Sequence, residues 1–289
     1  MVFNKNIDGC FGSLIVVGSG IQAAGQLTIE ARNTISHADK VFYLVTDYLT
    51  ECYLKKLNSS AESLHSCYET GKDRFLSYLE MVDRILGKVR EENEVCAVFY
   101  GHPGVFAYPS HEAIRQARKE GFYARMLPGI SAEDCLFADL GVDPASHGCQ
   151  SYEATDFLIY KRIFDPCSSL VIWQVGVIGD LTFQASDYET SGIQVLVEHL
   201  QQAYGSDHVT IVYEAAQYPI FEPRIETVPL LDLPKVSLSS ASTLYIPPKA
   251  PRKLDQQMLA RLGIQEEQIH HIIGEIAVSN KIWQEYKVV

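Results

Sequence analysis

An arginine and a tyrosine four residues apart, Arg74 and Tyr78, are the first pair in this sequence that could carry out chemistry. The apolar spacing around them predicts a helix, and residues four apart share one helix face. A free tyrosine has a pKa of about 10, too high for a base at neutral pH. A nearby guanidinium stabilises the phenolate and lowers that pKa. Spacing alone favours the simpler alternative, an exposed arginine packed on an aromatic ring.

Two glycine-containing loops are further candidates. Residues Tyr100-Gly-His-Pro-Gly-Val-Phe106 follow a predicted strand, and a loop of this kind exposes N–H and C=O groups to a ligand. Gly18-Ser-Gly20 also follows a predicted strand, but its next glycine, Gly25, stands five positions later, whereas a dinucleotide fingerprint needs it three later. Nicotinamide binding is therefore disfavoured, and a plain tight turn remains the alternative for both loops.

Three more segments stand at the carboxyl ends of predicted strands: Trp173-Gln174-Val175, Tyr213-Glu-Ala-Ala216 and Ser242-Thr243. Ligands of parallel α/β sheets bind beyond those strand ends, so the segments could form one wall of a pocket. They could equally be core and turn residues, and spacing does not decide between the two.

The elements that must position these residues alternate between strand and helix. Each early strand ends in glycine or proline, which predicts a parallel α/β domain over residues 13–128. The predicted helix over 73–92 carries an apolar stripe of Leu76, Leu79, Val82, Ile85 and Leu86. Beyond residue 128 the pattern predicts a mixed-sheet α/β domain over 129–249. Residues 1–12 are expected to be a flexible lead and 250–289 a helical tail.

Composition restricts the functional classes. The chain has 289 residues, 47% of them hydrophobic, and a net charge of -12, which weighs against a general nucleic-acid binder. Seven cysteines without a C-x-x-C pair disfavour zinc and disulfide frameworks and fit a reducing cytoplasm. Because neither a membrane-spanning run nor a secretory signal is evident, we expect a cytoplasmic protein. We also expect that it uses no metal, since the cysteine pattern disfavours a zinc site.

Several of these segments together resemble the tetrapyrrole methylase superfamily, whose members use S-adenosylmethionine. The shared features are Leu14–Gly20 with Leu27-Thr28, the Gly-His-Pro-Gly loop, and Leu127–Ala132. The resemblance extends over nearly all of residues 13–248. It implies the two-domain α/β/α architecture of class III methyltransferases, with S-adenosylmethionine as cofactor and S-adenosylhomocysteine as product.

Within that superfamily the sequence looks most like the borosin peptide methyltransferases, which methylate backbone amide nitrogens of a ribosomal precursor peptide. The likeness rests on Tyr100–Phe106, Asp139–Pro144, Gln150–Ala154 and Trp173-Gln174. The stretch from Tyr68 to Tyr78 matches the catalytic segment of that family, with a tyrosine, an arginine and a tyrosine at the same separations.

The resemblance implies roles for individual residues. The family's catalytic positions are taken by Arg74, Tyr78 and Tyr100, and a further active-site tyrosine corresponds to Tyr68. Nine residues match positions that line the S-adenosylmethionine pocket: Tyr100, His102, Val105, Ser131, Ala132, Gln174, Tyr213, Ser242 and Thr243.

Residues of these types suit backbone N-methylation. A peptide nitrogen is a poor nucleophile, because its lone pair is delocalised into the carbonyl group. Removing the N–H proton, or stabilising negative charge on the carbonyl oxygen, makes it reactive. We therefore expect Tyr78, with Arg74 beside it, to assist deprotonation, while Tyr100 and Tyr68 polarise the amide oxygen.

The family resemblance also bears on partners. Many borosin enzymes carry their substrate as a C-terminal extension after a helical clasp, and the residues after Pro248 are too few for both. The sequence therefore resembles the split arrangement, in which a homodimer methylates a separate precursor protein and forms a heterotetramer with it. Charged residues interrupt the apolar stretch 272–289, which favours a helix or dimer contact over a core peptide.

Other functions remain open. A tetrapyrrole or other small-molecule methyltransferase would share the fold and cofactor but not the set of Tyr68, Arg74 and Tyr78. A non-catalytic relative would keep the pocket and only bind a peptide. A nicotinamide-dependent oxidoreductase is the weakest alternative, because of the glycine spacing.

Overall fold

A computed structural model describes residues 12–184, 192–249 and 253–269 of the chain. Two compact units arise: the first comprises Met1–Leu136, Gly179–Glu189 and Tyr213–Ile225, and the second Phe137–Ile178, Thr190–Val212 and Glu226–Val289. The domain limits expected from the sequence, 13–128 and 129–249, stay a prediction. The expectations for the N-terminal lead and for most of the C-terminal tail, including 272–289, lie outside the described residues.

A five-stranded parallel sheet forms the first unit, in the order β3-β2-β4-β1-β5. Its strands are β1 Ser13–Gly18, β2 Lys40–Leu44, β3 Glu62–Ser63, β4 Glu94–Phe99 and β5 Tyr123–Met126. Its helices are α1 Ile29–His37, α2 Tyr48–Leu57, α3 Arg74–Arg90 and α4 Tyr108–Lys119, and α5 Ala132–Leu140 begins in it and ends in the second unit. The parallel α/β expectation for this part of the chain is confirmed.

Apolar residues on both faces explain why β1 is buried along its whole length. Leu14 and Val16 enter a core with α3 and α4, whereas Ile15 and Val17 enter a separate core with α1 and α2. Successive strand residues point to opposite faces, so an unbroken apolar run suits a sheet covered on both sides. The carboxyl ends of these strands are thereby held rigidly.

Helix α3 packs on this sheet through a face that differs at its start from the expected stripe. The buried positions are Ser77, Met81, Val82, Ile85, Leu86 and Val89. Leu76, which we expected on the stripe, exposes 55% of its surface. At about 100° per residue, Leu76 lies roughly 180° around the helix from Ile85, which is in the middle of the buried face, so Leu76 points away from the sheet. The expectation for Leu76 was therefore wrong.

A second five-stranded sheet has the order β6-β7-β10-β8-β9. Its strands are β6 Cys149–Glu153, β7 Ser169–Trp173, β8 Val209–Glu214, β9 Arg224–Pro229 and β10 Thr243–Ile246. Strand β7 is parallel to β6 and antiparallel to β10, so the expected mixed sheet is confirmed. The remaining helices are α6 Pro144–His147, α7 Ala154–Ile159, α8 Gly192–Tyr204 and α9 Gln256–Leu262.

Among the described residues, no helix is both long and apolar enough to cross a membrane. No three His, Cys, Asp or Glu side chains in the described part of the chain are grouped so as to hold a metal ion.

Candidate active site

The first two turns of α3 carry the arginine and one of the tyrosines expected to act in catalysis. Asp73 precedes the helix, and its carboxylate accepts a 2.7 Å hydrogen bond from the Phe75 N–H, which caps the first turn. Arg74 and Tyr78 follow, both partly buried and four residues apart. The local sequence thus fixes the residue at which α3 begins. It thereby also fixes the positions of Arg74 and Tyr78 on the first two turns of the helix.

A segment distant in sequence holds the start of α3. We call residues 180–184 the strap, and it pairs in antiparallel fashion with residues 71–74 of the same unit. Three main-chain hydrogen bonds of 2.8, 3.0 and 3.2 Å join the segments: Gly71 N–H to Phe183 O, Phe183 N–H to Lys72 O, and Arg74 N–H to Leu181 O. The Nε–H of Arg74 also donates to the Thr182 carbonyl at 2.7 Å. The strap therefore orients the guanidinium.

Aromatic contacts connect Tyr68 to Tyr78. Tyr68 follows the 3₁₀ turn His65–Cys67, and its ring stacks on Phe183 with centroids 4.6 Å apart. The same ring meets Tyr78 edge-on at 6.4 Å, and Tyr78 in turn stacks on Tyr108 at 6.2 Å. The row of rings places two of the expected catalytic phenols beside each other.

The phenols of Tyr68 and Tyr100 both have a pKa above the ordinary value of about 10. Burial is the largest cause of the raised pKa of Tyr68, followed by Tyr78 and Tyr100, while Arg74 acts in the opposite direction. Burial and then Tyr78 raise the pKa of Tyr100, again against Arg74. Tyr100 exposes 48% of its surface, so water weakens the effect of burial on its phenol. Both phenols are neutral at physiological pH and can donate an O–H.

The Gly-His-Pro-Gly loop leaves the end of β4 in a fixed conformation. The Gly104 N–H donates to Nδ1 of His102 at 3.0 Å, so a neutral imidazole carries its proton on Nε2. The Val105 N–H donates to the His102 carbonyl at 3.1 Å, and Nε2 of His111 contacts the Gly104 carbonyl at 2.9 Å. Phe106 has a φ of 51°, a value that residues with a Cβ rarely adopt and that is enriched at functional sites.

Three glycines bring the loops after β1, β4 and β5 into backbone contact. A Cβ on Gly18 would lie 2.2 Å from the carbonyl oxygen of Gly101, and a Cβ on Gly129 would lie 3.1 Å from the same oxygen. The three strand ends can approach this closely only because glycine has no side chain.

Replacing Gly18 by alanine is expected to lower the free energy of unfolding by about 1–3 kcal/mol, because the Gly101 loop must move away from the new methyl group. Gly87→Ala in α3 is the control: nothing lies within 4 Å of its Cβ, and we expect a gain of about 0.5–1 kcal/mol. Urea unfolding of both variants measures the difference. Equal stability of the two would contradict the close approach.

Ser131 and Ala132 stand where α5 begins. The Ser131 hydroxyl donates to the Asp134 carboxylate at 2.7 Å and accepts from the Asp134 N–H at 3.1 Å. The Ser131 N–H donates to the same carboxylate at 2.7 Å. These reciprocal bonds cap the helix in the manner of a capping box. The Ser131 hydroxyl is thus used within the protein, and a cofactor contact from it remains a proposal.

Three expected cofactor residues, Gln174, Ser242 and Thr243, belong to the second unit. Gln174 follows β7 with φ 58° and ψ 37°, a left-handed conformation unusual for a residue with a Cβ. The next N–H, of Val175, donates to the Ser242 carbonyl at 3.2 Å, so the ends of β7 and β10 meet there. Ser242 and Thr243 are themselves buried, as is Tyr213 at the end of β8.

Within the first unit, the rings of Tyr68 and Tyr78 are in contact, Arg74 stands one turn before Tyr78, and the charge of Arg74 lowers the pKa values of both Tyr68 and Tyr100 against the effect of burial. The expected cofactor residues fall into separate groups: the loop after β4, the start of α5, the end of β8, and the ends of β7 and β10. Sequence reasoning missed the strap and Tyr108. The residues Asp180-x-Thr182 are of types that favour turns, but no sequence signal indicated where that turn packs.

The loop after β4 offers groups that suit S-adenosylmethionine, which combines a carboxylate, ribose hydroxyls and an adenine ring. His102 presents an N–H donor, Tyr100 a half-exposed phenol, and Val105 an apolar side chain that is 38% exposed. Small-molecule sites commonly combine apolar surface with a few fixed polar groups. The residues present therefore fit the cofactor.

Curated proteins with similar sequences come from fungi. The chain is 45% identical over 255 residues to a protein of Dendrothele bispora named methyltransferase/ribosomally synthesized cyclic peptide dendrothelin A precursor, covering 87% of the chain and 61% of that protein. It is 44% identical over 257 residues to the omphalotin A counterpart of Omphalotus olearius, covering 88% and 62%. A protein of Serendipita vermifera named as a type I borosin precursor is 41% identical, with 90% and 65% covered. The chain thus spans about three-fifths of the length of these relatives.

Solved structures and a family profile agree on the fold. Uroporphyrin-III-C-methyltransferase from Thermus thermophilus superposes with a TM-score of 0.60 at 17% identity, covering 84% of this chain and 98% of that one. Diphthine synthase gives 0.58 at 15% identity, with 83% and 91% covered. Residues 13–219 match the profile of the Tetrapyrrole (Corrin/Porphyrin) Methylases. The fold class expected from the sequence is confirmed, and the chain belongs to the tetrapyrrole methylase family.

Proposed function

We propose that this protein is an S-adenosylmethionine-dependent methyltransferase that methylates backbone amide nitrogens of a ribosomal peptide. The observation that carries the proposal is the grouping of Tyr68, Tyr78 and Arg74: the two rings lie 6.4 Å apart, and the guanidinium is bonded to the strap one turn before Tyr78. The charge of Arg74 also acts on the pKa of Tyr100. Relatives named as methyltransferases joined to cyclic peptide precursors support the substrate class.

Each of these groups has a task in making an amide nitrogen reactive. The neutral phenols of Tyr68 and Tyr100 donate hydrogen bonds to the amide oxygen, on which negative charge develops. Tyr78 accepts the N–H proton: it stands one helical turn after Arg74, and its ring contacts that of Tyr68 at 6.4 Å. The guanidinium of Arg74, held on the strap, stabilises the resulting negative charge.

The cofactor, when bound, supplies an electrophilic methyl group. We propose that His102 donates to its polar groups, that Val105 contacts its adenine, and that the ring of Tyr100 contacts the cofactor while the phenol O–H serves the amide oxygen. Further residues proposed to bind the cofactor are Ser131, Ala132, Gln174, Tyr213, Ser242 and Thr243. The proposal keeps a homodimer as the acting form and a separate precursor chain as the acceptor, in a cytoplasmic setting.

A peptide assay tests the function. The purified chain is mixed with methyl-labelled S-adenosylmethionine and, in separate reactions, the omphalotin A precursor peptide or a corrin precursor. We expect label on the peptide alone, and tandem mass spectrometry to locate each added methyl on a backbone nitrogen. Intact mass of the chain itself distinguishes modification of a separate peptide from self-modification.

Other results would overturn the proposal. Label on the corrin precursor would assign a small-molecule methyltransferase. Cofactor binding by calorimetry without label on any acceptor would favour a non-catalytic relative. Methyl groups on peptide side chains would show that no backbone amide is activated, and the proposed roles of the phenols and the guanidinium would be wrong.

A further inference from the structure

The strap has a conformation that its own side chains maintain. One carboxylate oxygen of Asp180 accepts hydrogen bonds from the Thr182 N–H at 2.8 Å and from the Thr182 hydroxyl at 2.7 Å. The side-chain amide of Gln184 donates to the same hydroxyl oxygen at 2.9 Å. The hydrogen bond from the Thr182 hydroxyl is the largest cause that lowers the pKa of Asp180, so the accepting carboxylate is ionised at neutral pH.

Two neighbouring strap residues contact two different members of the candidate active site. The carbonyl of Thr182 accepts from the Nε–H of Arg74 at 2.7 Å. The ring of Phe183 lies 4.6 Å from the ring of Tyr68, with an angle of 18° between their planes. The main chain of Phe183 is itself bonded to residues 71 and 72, which holds the backbone from which the ring projects toward Tyr68.

We infer that Thr182 and Phe183 are positioning residues of the active site: the Thr182 carbonyl fixes the guanidinium of Arg74, and the Phe183 ring fixes the phenol of Tyr68. This inference rests on the proposed function and adds the element that sets its geometry. Neither residue needs to touch the reacting atoms. Displacing catalytic groups by about 1 Å costs up to about 100-fold in rate, so loss of either support is measurable.

Steady-state kinetics test the role of Phe183. Phe183→Leu is expected to lower kcat for peptide methylation by about 10- to 100-fold, with the KM for S-adenosylmethionine changed by less than about threefold. Phe183→Tyr keeps the stacked ring and is expected to restore kcat to within about threefold of the unmodified protein. Phe164→Leu is the matched control, a partly buried phenylalanine of the second unit that packs against Phe157.

A spectroscopic measurement tests the inference without methyl transfer. Tyrosine labelled with ¹³C at Cζ reports phenol ionisation, and a Tyr68→Phe variant assigns the signal. In the unmodified protein we expect Tyr68 to stay neutral beyond the pH at which a free tyrosine ionises, because burial raises its pKa. In Phe183→Leu water reaches the ring, so the signal should titrate at a lower pH than in the unmodified protein. Phe164→Leu should leave it unchanged.

The outcomes separate the positioning role from the proposed function. If no peptide is methylated but the Tyr68 signal responds to Phe183→Leu alone, the proposed function fails and the support of Tyr68 stands. If Phe183→Leu matches Phe164→Leu in both kcat and the Tyr68 signal, the positioning role is wrong. Should Phe183→Leu not fold, Thr182→Val replaces it, because it removes the hydroxyl bonds that shape the strap. An unchanged kcat in that folded variant would equally overturn the inference.

Discussion

Replacing Tyr78 by phenylalanine is expected to lower the rate of peptide methylation by about 10²- to 10⁴-fold, the usual contribution of a positioned base. The substitution removes only the hydroxyl, and the remaining ring keeps its contacts with Tyr68 at 6.4 Å and Tyr108 at 6.2 Å. Binding of S-adenosylmethionine and thermal stability should therefore change little. Single-turnover methylation, followed by mass spectrometry, measures the chemical step directly.

The matched control is Tyr108→Phe. Tyr108 stacks on Tyr78 and is 39% exposed, so it shares the aromatic surroundings but has no proposed part in proton transfer. We expect its rate to stay within about threefold of the unmodified protein. A folded Tyr78→Phe variant with normal turnover would exclude Tyr78 as the base, whatever the result for Tyr108.

The assignment of roles among the phenols follows from their surroundings. Tyr68 is partly buried, and burial keeps its phenol neutral, which makes it a hydrogen-bond donor rather than a base at neutral pH. Tyr100 shares this direction but keeps 48% of its surface exposed. In both cases Arg74 opposes the rise in pKa, so its positive charge acts on both phenols.

Much of the first sheet could be predicted from the sequence, because apolar runs that end in glycine identify buried parallel strands. Helix α2 could not, since only Thr50 and Leu54 of its ten residues are buried and no apolar period results. Strand β6, Cys149-Gln-Ser-Tyr-Glu153, contains no fully buried residue and gives no strand pattern. Elements with little buried surface show no clear apolar pattern, so the sequence does not predict them.

The candidate site was predictable only in part for a related reason. Arg74 and Tyr78 belong to one helix, so their separation follows from local geometry. The bond from Arg74 to Thr182 joins residues that are 108 positions apart, and its acceptor is a main-chain carbonyl that any residue type provides. Because a main-chain acceptor does not depend on the residue type, the sequence gives no signal of this contact. The strap could therefore be identified only from the structure.

Arg74→Lys is expected to lower the methylation rate by about 10²- to 10³-fold while keeping the positive charge. Lysine has no group equivalent to Nε–H, so the 2.7 Å bond to the Thr182 carbonyl is lost and the charge becomes mobile. The rate should fall mainly in kcat, because the charge that Arg74 stabilises develops during the reaction. Steady-state kinetics at saturating cofactor and peptide give this value.

Arg84→Lys on the same helix is the control. Arg84 pairs with Glu80 at 2.9 Å and donates to the Ser66 hydroxyl at 2.8 Å, away from the strap. We expect a change of less than about twofold, since surface ion pairs contribute little and lysine can replace them. If both lysine variants retain full activity, charge alone suffices at position 74 and the fixed guanidinium has no catalytic role. If only Arg74→Lys is impaired and adding free guanidinium to an Arg74→Ala variant restores turnover, the planar cation rather than positive charge alone is what the reaction requires.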